Sequence, residues 1–379
     1  MAEAARLTGR LSRQRRRRGK GRSIRSQHII SLNITALNDS HLPDAAGLFV
    51  SRYREARSRT PVLPVRHEDP GTILPRLSDL LKKGPGAAAI QDGRLVGFLA
   101  GMAIPNFKGT QRGVWCPEWA HAAVESGGAN RADVYRRLYE WISAQWVAAG
   151  CFTQAITLFA HDVEAGDIWF RNGFGLLCVD AVRSLDPVAA DRPLAPAATI
   201  RQATAGPLPA ATIRRATPAD VDQILNLTVQ HYRYLAGAPI FLPYLRAVGR
   251  EEIEGWLADP TQAVLVATVT GEIASAEGEV AAYLRGGLGC PEAAHVLSDP
   301  KTASITRAFT RESLRRQGLA SALLGRFVEW ARLRGMERIA VDFEPQNIHG
   351  SRFWGRHFEP VCHSVIRRVD ERVVEAPTP

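Results

Sequence analysis

Hydrophobic and polar residues follow two periods along this chain, one typical of strands and one typical of helices. In the first half, the predicted elements are a strand, two helices, a hairpin, a strand, a helix, a strand, a helix and a strand. They cover residues 31–37, 42–50, 73–83, 87–102, 114–119, 130–149, 153–160, 162–170 and 179–185. Strands that alternate with helices in this way predict a mixed α/β sheet.

The second half repeats this order, beginning with a strand over residues 212–216. Thr217 and Asp220 form a capping box with Pro218 at the first helical position, which predicts a helix from there to about His231. The other predicted helices cover residues 250–257, a stretch from 318 onward, and 348–356. The other predicted strands cover 264–269, 281–284, 303–310 and 338–343.

Individual residues repeat at a nearly constant spacing as well. The matched pairs are Ile34 with Ile213, Leu48 with Leu227, Tyr53 with Tyr232 and Leu63 with Leu242 at a spacing of 179, and Leu138 with Leu323, Trp169 with Trp354, Phe174 with Phe358 and Cys178 with Cys362 at 184 or 185. This spacing indicates a duplicated module. We expect each copy to form a mixed sheet with helices on both faces, and each is able to cover the exposed sheet edge of the other.

A proline- and alanine-rich segment between the copies predicts a semi-rigid linker. The expected organisation is a basic disordered tail, a first module, the linker, a second module and a short C-terminal tail. Their predicted bounds are 1–28, 29–188, 189–211, 212–372 and 373–379.

One stretch of the second half has the features of an anion site. The predicted strand over 303–310 leads into Arg315-x-x-Gly318-x-Ala320, where a helix begins. The first N–H groups of a helix lack intrahelical partners and lie at its positive end, so they attract anions. Gly318 and Ala320 keep large side chains away from the backbone, and Arg315 and Arg316 add charged donors.

This stretch resembles the GCN5-related N-acetyltransferases (GNAT family), whose signature is Arg/Gln-x-x-Gly-x-Gly/Ala at the acetyl-CoA pyrophosphate. The resemblance implies two tandem acyl-CoA N-acyltransferase modules, acetyl-CoA as co-substrate and an amine-bearing acceptor. It also implies that the second module binds the cofactor through Phe309, Thr310, Arg311, Arg315, Arg316, Gly318, Leu319, Ala320, Ser321 and Asn347.

The first copy lacks this signature. At the spacing of 185, Asn130, Asp133 and Tyr135 fall opposite the three signature residues. A carboxylate at that place would repel a pyrophosphate, so we interpret the first module as a structural partner.

An alternative is that the first copy's own stretch, Ser126-Gly127-Gly128-Ala129, binds phosphate with a different nest of N–H groups. Two polar stretches there, 118–121 and 161–162, are compatible with an acceptor pocket, but we interpret them as structural.

Two carboxylates of the second copy are candidate general bases. Asp342 and Glu344 share one face of their predicted strand, and Thr157 and Phe159 stand at their places in the first copy. An amine must lose a proton during attack on a thioester, and a carboxylate accepts it directly or through water. The alternative is that they only cap the next turn. We prefer Glu344, which lies closer to the end of the strand.

Two further residues are interpreted from the resemblance. Asn347 stands where the family commonly binds the pantetheine arm, and it is also a good cap for the helix that follows. Trp354 stands where the family usually has a tyrosine that protonates the CoA thiolate. An indole N–H does not act as an acid, so solvent or another group, such as His349 or His357, must supply this proton.

The acceptor site is expected in the aromatic stretch 231–244, between the first two helices of the second copy. Tyr234 and Tyr244 lack aromatic counterparts in the first copy, where Glu55 and Val65 stand, and they are the candidate substrate-binding residues. Tyr232 recurs as Tyr53, which favours a packing role.

The net charge of +10 is concentrated in the tail. Residues 1–28 contain ten basic residues against Glu3 alone, so the remainder is nearly neutral. The tail is either an arm that binds RNA or another polyanion, or a dispensable extension. We favour the extension, because no aromatic residue stands among the arginines to stack on bases.

Other classes are disfavoured by composition. The five cysteines show no metal-ligand spacing, which favours reduced thiols, no metal and a cytoplasmic location. No apolar run approaches the roughly 20 residues that span a membrane. The expected function is acetyl transfer from acetyl-CoA to an amine. The alternative is an acyl-CoA-binding regulator or scaffold that does not catalyse, and the sequence leaves the acceptor and the oligomeric state open.

Overall fold

The computed structural model describes residues 32–109, 111–188, 211–243, 248–269, 278–290 and 294–374. The elements of the first half are β1 (Asn33–Ala36), α1 (Leu42–Arg59), α2 (Leu74–Leu81), β2 (Gly86–Gln91), β3 (Arg94–Ala100), β4 (Met102–Ile104), β5 (Gly113–Cys116), β6 (His121–Ala123), α3 (Arg131–Ala148), β7 (Thr153–Phe159), α4 (Val163–Arg171) and β8 (Gly175–Ser184). Those of the second half are β9 (Ala211–Arg215), α5 (Val221–Ala236), α6 (Arg250–Ala258), β10 (Gln262–Val269), β11 (Glu279–Leu288), β12 (Thr302–Thr310), α7 (Leu319–Leu333), β13 (Arg338–Phe343), α8 (Ile348–His357) and β14 (Glu359–Arg368).

The helix starts follow local capping chemistry. The predicted capping box before α5 is present, because the Asp220 carboxylate accepts from the Thr217 backbone N–H at 2.7 Å. Before α1, Asn38 caps a short 3-10 turn that leads into the helix. Helix α5 continues five residues past the predicted end at His231 and therefore carries Tyr234.

The described strands form one large sheet and one small sheet. The large sheet has ten strands in the order β4-β5-β7-β14-β8-β13-β12-β11-β10-β9, and the small sheet has the order β1-β2-β3-β6. Strands of both halves therefore contribute to the large sheet, which extends from one module into the other.

The two modules exchange their last strands. Strand β8 of the first half pairs with β13 of the second, and β14 of the second half pairs with β7 of the first. The two exchanged strands also pair with each other, antiparallel, at the centre of the sheet. Each module thus completes its sheet with a strand from the other.

A shared core covers this exchange. Phe49 and Tyr53 of α1 are fully buried in one cluster with Val296, Ala340 and Cys362 of the second half. Burial on this scale stabilises the contact between the modules through the hydrophobic effect.

Two buried carboxylates of the first half bind the segment that precedes β12. The backbone N–H of Val296 donates to Glu118 at 2.8 Å, and that of Ala294 donates to Asp180 at 2.9 Å. Burial raises the pKa of both carboxyl groups to about 7.

The predicted fold class, two tandem α/β modules that each contain a mixed sheet, is confirmed by this architecture. In the second module, α7 covers one face of the sheet and α5 with α6 covers the other. The domain bounds stay predictions, and the predicted linker lies outside the described residues except for Ala211.

Candidate functional site

A cleft opens where two parallel strands of the second module separate. Strands β12 and β13 pair only between Thr302–Ile305 and Arg338–Val341. Beyond that point β12 follows β11 through a bulge, while β13 follows β8. Ligands of α/β sheets commonly bind at such an opening beyond the carboxyl ends of the strands.

The predicted anion turn forms one wall of this cleft. After β12, a 3-10 turn over Glu312–Leu314 leads to Arg316 and Gly318, whose φ angles are 63° and 84°. This left-handed backbone suits glycine, and it turns the chain directly into α7. Gly318 occupies the N-cap position and has no side chain to cap the helix with. The first-turn N–H groups of α7 are therefore accessible to an anion at the positive end of the helix.

The Arg315 side chain turns inward and fixes this wall. Its Nε donates to the Thr310 carbonyl at 3.3 Å, and its guanidinium carbon lies 4.5 Å from the centre of the Tyr234 ring. It lies 5.6 Å from the Phe309 ring as well. This cation–π stacking orders the guanidinium on the cleft side of the turn.

The opposite wall carries the candidate bases and a strand of the first module. Asp342 of β13 lies directly opposite Asp180 of β8, and the same antiparallel register places Glu344 opposite Cys178. Burial raises the pKa of the Cys178 thiol, and the nearby charges of Asp180, Asp342 and Glu344 raise it further. These side chains therefore share one face of the sheet.

Tyr234 and Asn347 connect the two walls. The Tyr234 hydroxyl donates to Asn347 Oδ1 at 2.9 Å, and the same oxygen accepts from the Gly350 backbone N–H at 2.9 Å as the cap of α8. The Asn347 backbone N–H donates to the Glu344 carbonyl at 3.0 Å. The phenol of α5 thus spans the cleft from Arg315 to the turn that carries Glu344.

Residues 232–358 match the family model described as the acetyltransferase (GNAT) family. This segment contains the anion turn, Tyr234, the two candidate bases and Asn347. It is a GNAT acetyltransferase domain. No curated protein matches the sequence of the chain.

Solved structures with similar architecture include three GNAT proteins. A GCN5-related N-acetyltransferase from Sphaerobacter thermophilus aligns with a TM-score of 0.51 and 14% identity over 89% of this chain and 95% of that one. The glucosamine N-acetyltransferase region of a fungal multi-domain β-N-acetylglucosaminidase gives 0.47 and 11% over 89% of this chain and 38% of that one. A GCN5-related N-acetyltransferase from Kribbella flavida gives 0.36 and 11% over 90% and 71%. The first of these likenesses supports the fold over both modules of this chain.

Most of the predicted cofactor residues lie together in the GNAT domain, at or beside the turn. Three of them make contacts of a structural kind. Phe309 is buried and stacks on His231 at 5.0 Å, Leu319 is buried in the core under α7, and Arg311 pairs with Glu279 of β11 at 2.5 Å. Their roles in cofactor binding stay predictions, as do those of the other predicted site residues.

Trp354 is a core residue of the GNAT domain. Its side chain is 8% exposed, and its indole packs edge-on against Phe353 and Phe358 at 4.8 and 5.5 Å. At the position where the family usually has a tyrosine, this domain therefore has a side chain that packs in the core and does not face the cleft.

In the first module, the corresponding helix start is closed by its own side chain. Asn130 is the N-cap of α3, and its Oδ1 accepts from the Asp133 backbone N–H at 2.9 Å. Gly318 is the N-cap of α7, but α3 has 18 residues and α7 has 15, so α3 begins one turn earlier. The buried residues of the two helices, such as Leu138 and Leu323, keep the predicted spacing of 185.

The alternative phosphate nest of the first module is a tight turn bonded to itself. Ser126 and Ala129 exchange backbone hydrogen bonds of 2.8 and 3.1 Å, and Gly127 and Gly128 have left-handed φ angles of 50° and 94°. The N–H groups at both ends of this turn are therefore occupied, which disfavours the alternative.

The two polar stretches of the first module make mainly structural contacts. Asp162 caps α4 and pairs with Arg131 at 2.6 Å, while buried His121 contacts the Thr157 carbonyl at 2.8 Å. His161 differs, because it borders a cavity of about 400 Å³ that Thr60 and Glu359 also line. The cavity lies between α1 and the exchanged strand β14.

Several predictions concern features outside this cleft. Tyr244 lies outside the described residues. Over the described ranges, no group of three or more His, Cys, Asp or Glu residues is arranged to hold a metal ion. No helix within the described part of the chain is long and apolar enough to cross a membrane.

Sequence reasoning missed the contribution of β8 to the cleft. Cys178 and Asp180 belong to the first module, yet they lie on the exchanged strand β8, beside Glu344 and Asp342 of the second module. The only signal in the sequence was that Cys178 matches Cys362 in the repeat. Such a match indicates equivalent positions in the two modules, not a contact between the residues.

Proposed function

We propose that the GNAT domain binds acetyl-CoA in the cleft between β12 and β13 and transfers its acetyl group to an amine. The amine attacks directly, without a covalent enzyme intermediate, and the first module has a structural role. The observation that carries this proposal is the start of α7. It lies where two parallel strands separate, and Gly318 at its N-cap has no side chain to cap the first turn. Such a helix start suits the pyrophosphate of CoA.

The other groups of the cleft fit the remainder of the reaction. Asn347 lies across the cleft from the turn, and in this proposal its amide binds the pantetheine arm. Glu344 directly follows β13 and is half-buried. In this proposal its carboxylate takes the proton from the amine nitrogen as that nitrogen bonds to the acetyl carbon.

Glu344 is preferred over Asp342 because of their positions on the strand. Asp342 lies two residues farther from the end of the strand than Glu344 does, and it stands opposite the buried carboxyl of Asp180. Glu344 lies at the end where the cleft opens and one hydrogen-bonded turn from Asn347. A base at this end reaches an acceptor that enters from solvent.

A second candidate function is an acyl-CoA-binding regulator. The burial of Trp354 favours it, because the usual position of the acid then provides none for the departing thiolate. A thiolate is a fair leaving group, so this loss is compatible with slow transfer. The two functions differ in turnover rather than in binding.

The test is release of free CoA thiol from acetyl-CoA with a panel of amines that includes polyamines, aminoglycosides and peptides with free N-termini or lysines. We expect at least one amine to raise thiol release well above the rate without amine, and mass spectrometry to find the acetylated product. Binding of acetyl-CoA without thiol release across the panel would favour the regulator. Absence of both binding and turnover would contradict both functions.

A further inference from the structure

The CoA thiolate that leaves in acetyl transfer needs a proton, and Trp354, which stands at the usual place of the acid on α8, does not provide one. Trp354 is buried among aromatic rings, and an indole N–H is a donor but not a usable acid. His231 is a poor candidate as well. Burial lowers its pKa to about 4, and its imidazole is stacked on Phe309. Another group must therefore protonate the sulfur.

We propose that the Tyr234 hydroxyl donates this proton, so that the acid of the reaction comes from α5. The proposal rests on the proposed function, and its first support is position. The phenol spans the cleft between the anion turn and the turn that follows β13, with its ring against Arg315 and its hydroxyl 2.9 Å from Asn347 Oδ1. A pantetheine arm that runs from the helix start toward Glu344 passes this hydroxyl.

The surroundings of Tyr234 suit a group that holds a proton and then releases it. Burial raises the pKa of the phenol, so it is protonated at neutral pH before reaction. Three features stabilise the phenolate that donation leaves. The Arg315 cation and the backbone N–H of His349 both lower the pKa of the phenol, and the hydroxyl lies at the N-terminus of α8, where negative charge is favoured.

The step balances with the groups that are present. As the nitrogen–carbon bond forms, the carbon–sulfur bond breaks and its electron pair goes to the sulfur. The sulfur takes the hydroxyl proton of Tyr234 and leaves as the CoA thiol. The nitrogen loses its proton to Glu344, and that proton returns to the phenolate through water.

The first test does not depend on turnover. The thiol of CoA bound to the protein is titrated through the ultraviolet absorbance of its thiolate, in the wild type and in Tyr234→Phe. A hydrogen bond from the phenol favours the thiolate, so we expect the pKa of the bound thiol to be higher by about one unit or more in Tyr234→Phe. Equal thiol pKa values in the two proteins would overturn the proposal, even if acetyl transfer itself is confirmed.

The second test separates an acid from a residue that only positions Asn347. In Tyr234→Phe, we expect kcat to fall about 100-fold with the affinity for acetyl-CoA retained. Unchanged kcat, or weaker acetyl-CoA binding as the sole effect, would overturn the proposal. Tyr232→Phe is the matched control, because its hydroxyl accepts from Arg307 at 2.6 Å rather than contacting Asn347, and we expect it to retain wild-type kcat.

Discussion

Asn130 and Gly318 begin the corresponding helices of the two modules, and Asn130 caps its helix with its own side chain. Asn130 Oδ1 accepts from the Asp133 backbone N–H at 2.9 Å, whereas Gly318 has a left-handed φ of 84° and no side chain. The helix start of the first module is therefore closed by its own side chain, and that of the second is not. We expect acetyl-CoA to bind the second module because of this difference.

Gly318→Asn tests this relationship. Asparagine tolerates left-handed backbone better than most residues, and it would add a side chain at the start of α7. We expect the affinity for acetyl-CoA, measured by calorimetry, to fall at least about 10-fold because this side chain competes with the pyrophosphate for the space at the helix start. The matched control is Asn130→Ala, which we expect to lower the free energy of unfolding by about 1 kcal/mol without changing this affinity. Full affinity in Gly318→Asn would show that the pyrophosphate binds elsewhere.

Glu344→Gln tests the proposed base. The amide keeps the size of the side chain but does not accept a proton, so we expect kcat to fall by about 100-fold or more while the Kd for acetyl-CoA changes little. Asp342→Asn is the comparison on the same face of β13, and we expect a smaller loss of kcat from it. Full activity in Glu344→Gln would remove this residue as base, and a larger loss in Asp342→Asn would transfer the role to Asp342.

The strand exchange predicts that neither module is stable alone. Without β8, residues 212–372 would lack the strand between β13 and β14 and would expose two unpaired edges. We expect this fragment to aggregate or remain unfolded by circular dichroism, and to fold when co-expressed with residues 29–188. In the full chain, a protease site introduced in the segment 189–210 offers a second measurement. The cleaved halves should elute together on gel filtration, and two separate folded monomers would contradict the exchange.

The buried carboxyls of Glu118 and Asp180 predict a pH dependence of stability. Burial raises their pKa values to about 7 in the folded protein, above the values of exposed carboxyls. The folded state therefore retains these protons while the unfolded state loses them, and this contribution to stability falls as the pH rises from about 4 to about 7. Each group accounts for about 1.4 kcal/mol per pH unit within that window.

Buried histidines give stability the opposite dependence on pH, and Glu118→Gln separates the contribution of the carboxyl group from theirs. Glutamine keeps an oxygen for the Val296 N–H without titrating. We expect the melting temperature of the wild type relative to Glu118→Gln to decrease between pH 5 and pH 7.5. Parallel melting profiles across this range would contradict the raised pKa of Glu118.

Much of the local structure was predictable because it depends on neighbouring residues. The capping box of Thr217 and Asp220 is present, and so is the turn that Gly318 allows. Tyr234 was selected because the repeat lacks an aromatic residue at its counterpart, and the structure places it between the two walls.

The strand exchange was not predictable, because the hydrophobic pattern of β8 is equally suited to a partner from either module. The contact of Glu118 with Val296 joins residues 178 positions apart, and neither residue carries a local signal of the other. The extra turn at the start of α3, which makes Asn130 an N-cap, also required the structure.

The central claim is that one acetyl-CoA binds per chain, at the turn before α7. Calorimetric titration of the wild type, Arg315→Glu and Arg326→Glu with acetyl-CoA tests it most directly. Arg326 provides the matched charge reversal, because it lies exposed on the same helix and pairs with Glu329 at 2.7 Å. We predict one site in the wild type, in Arg326→Glu and in a protein without residues 1–28, and no measurable binding in Arg315→Glu with its fold intact. Unchanged affinity in Arg315→Glu, or two equivalents bound per wild-type chain, would contradict the account.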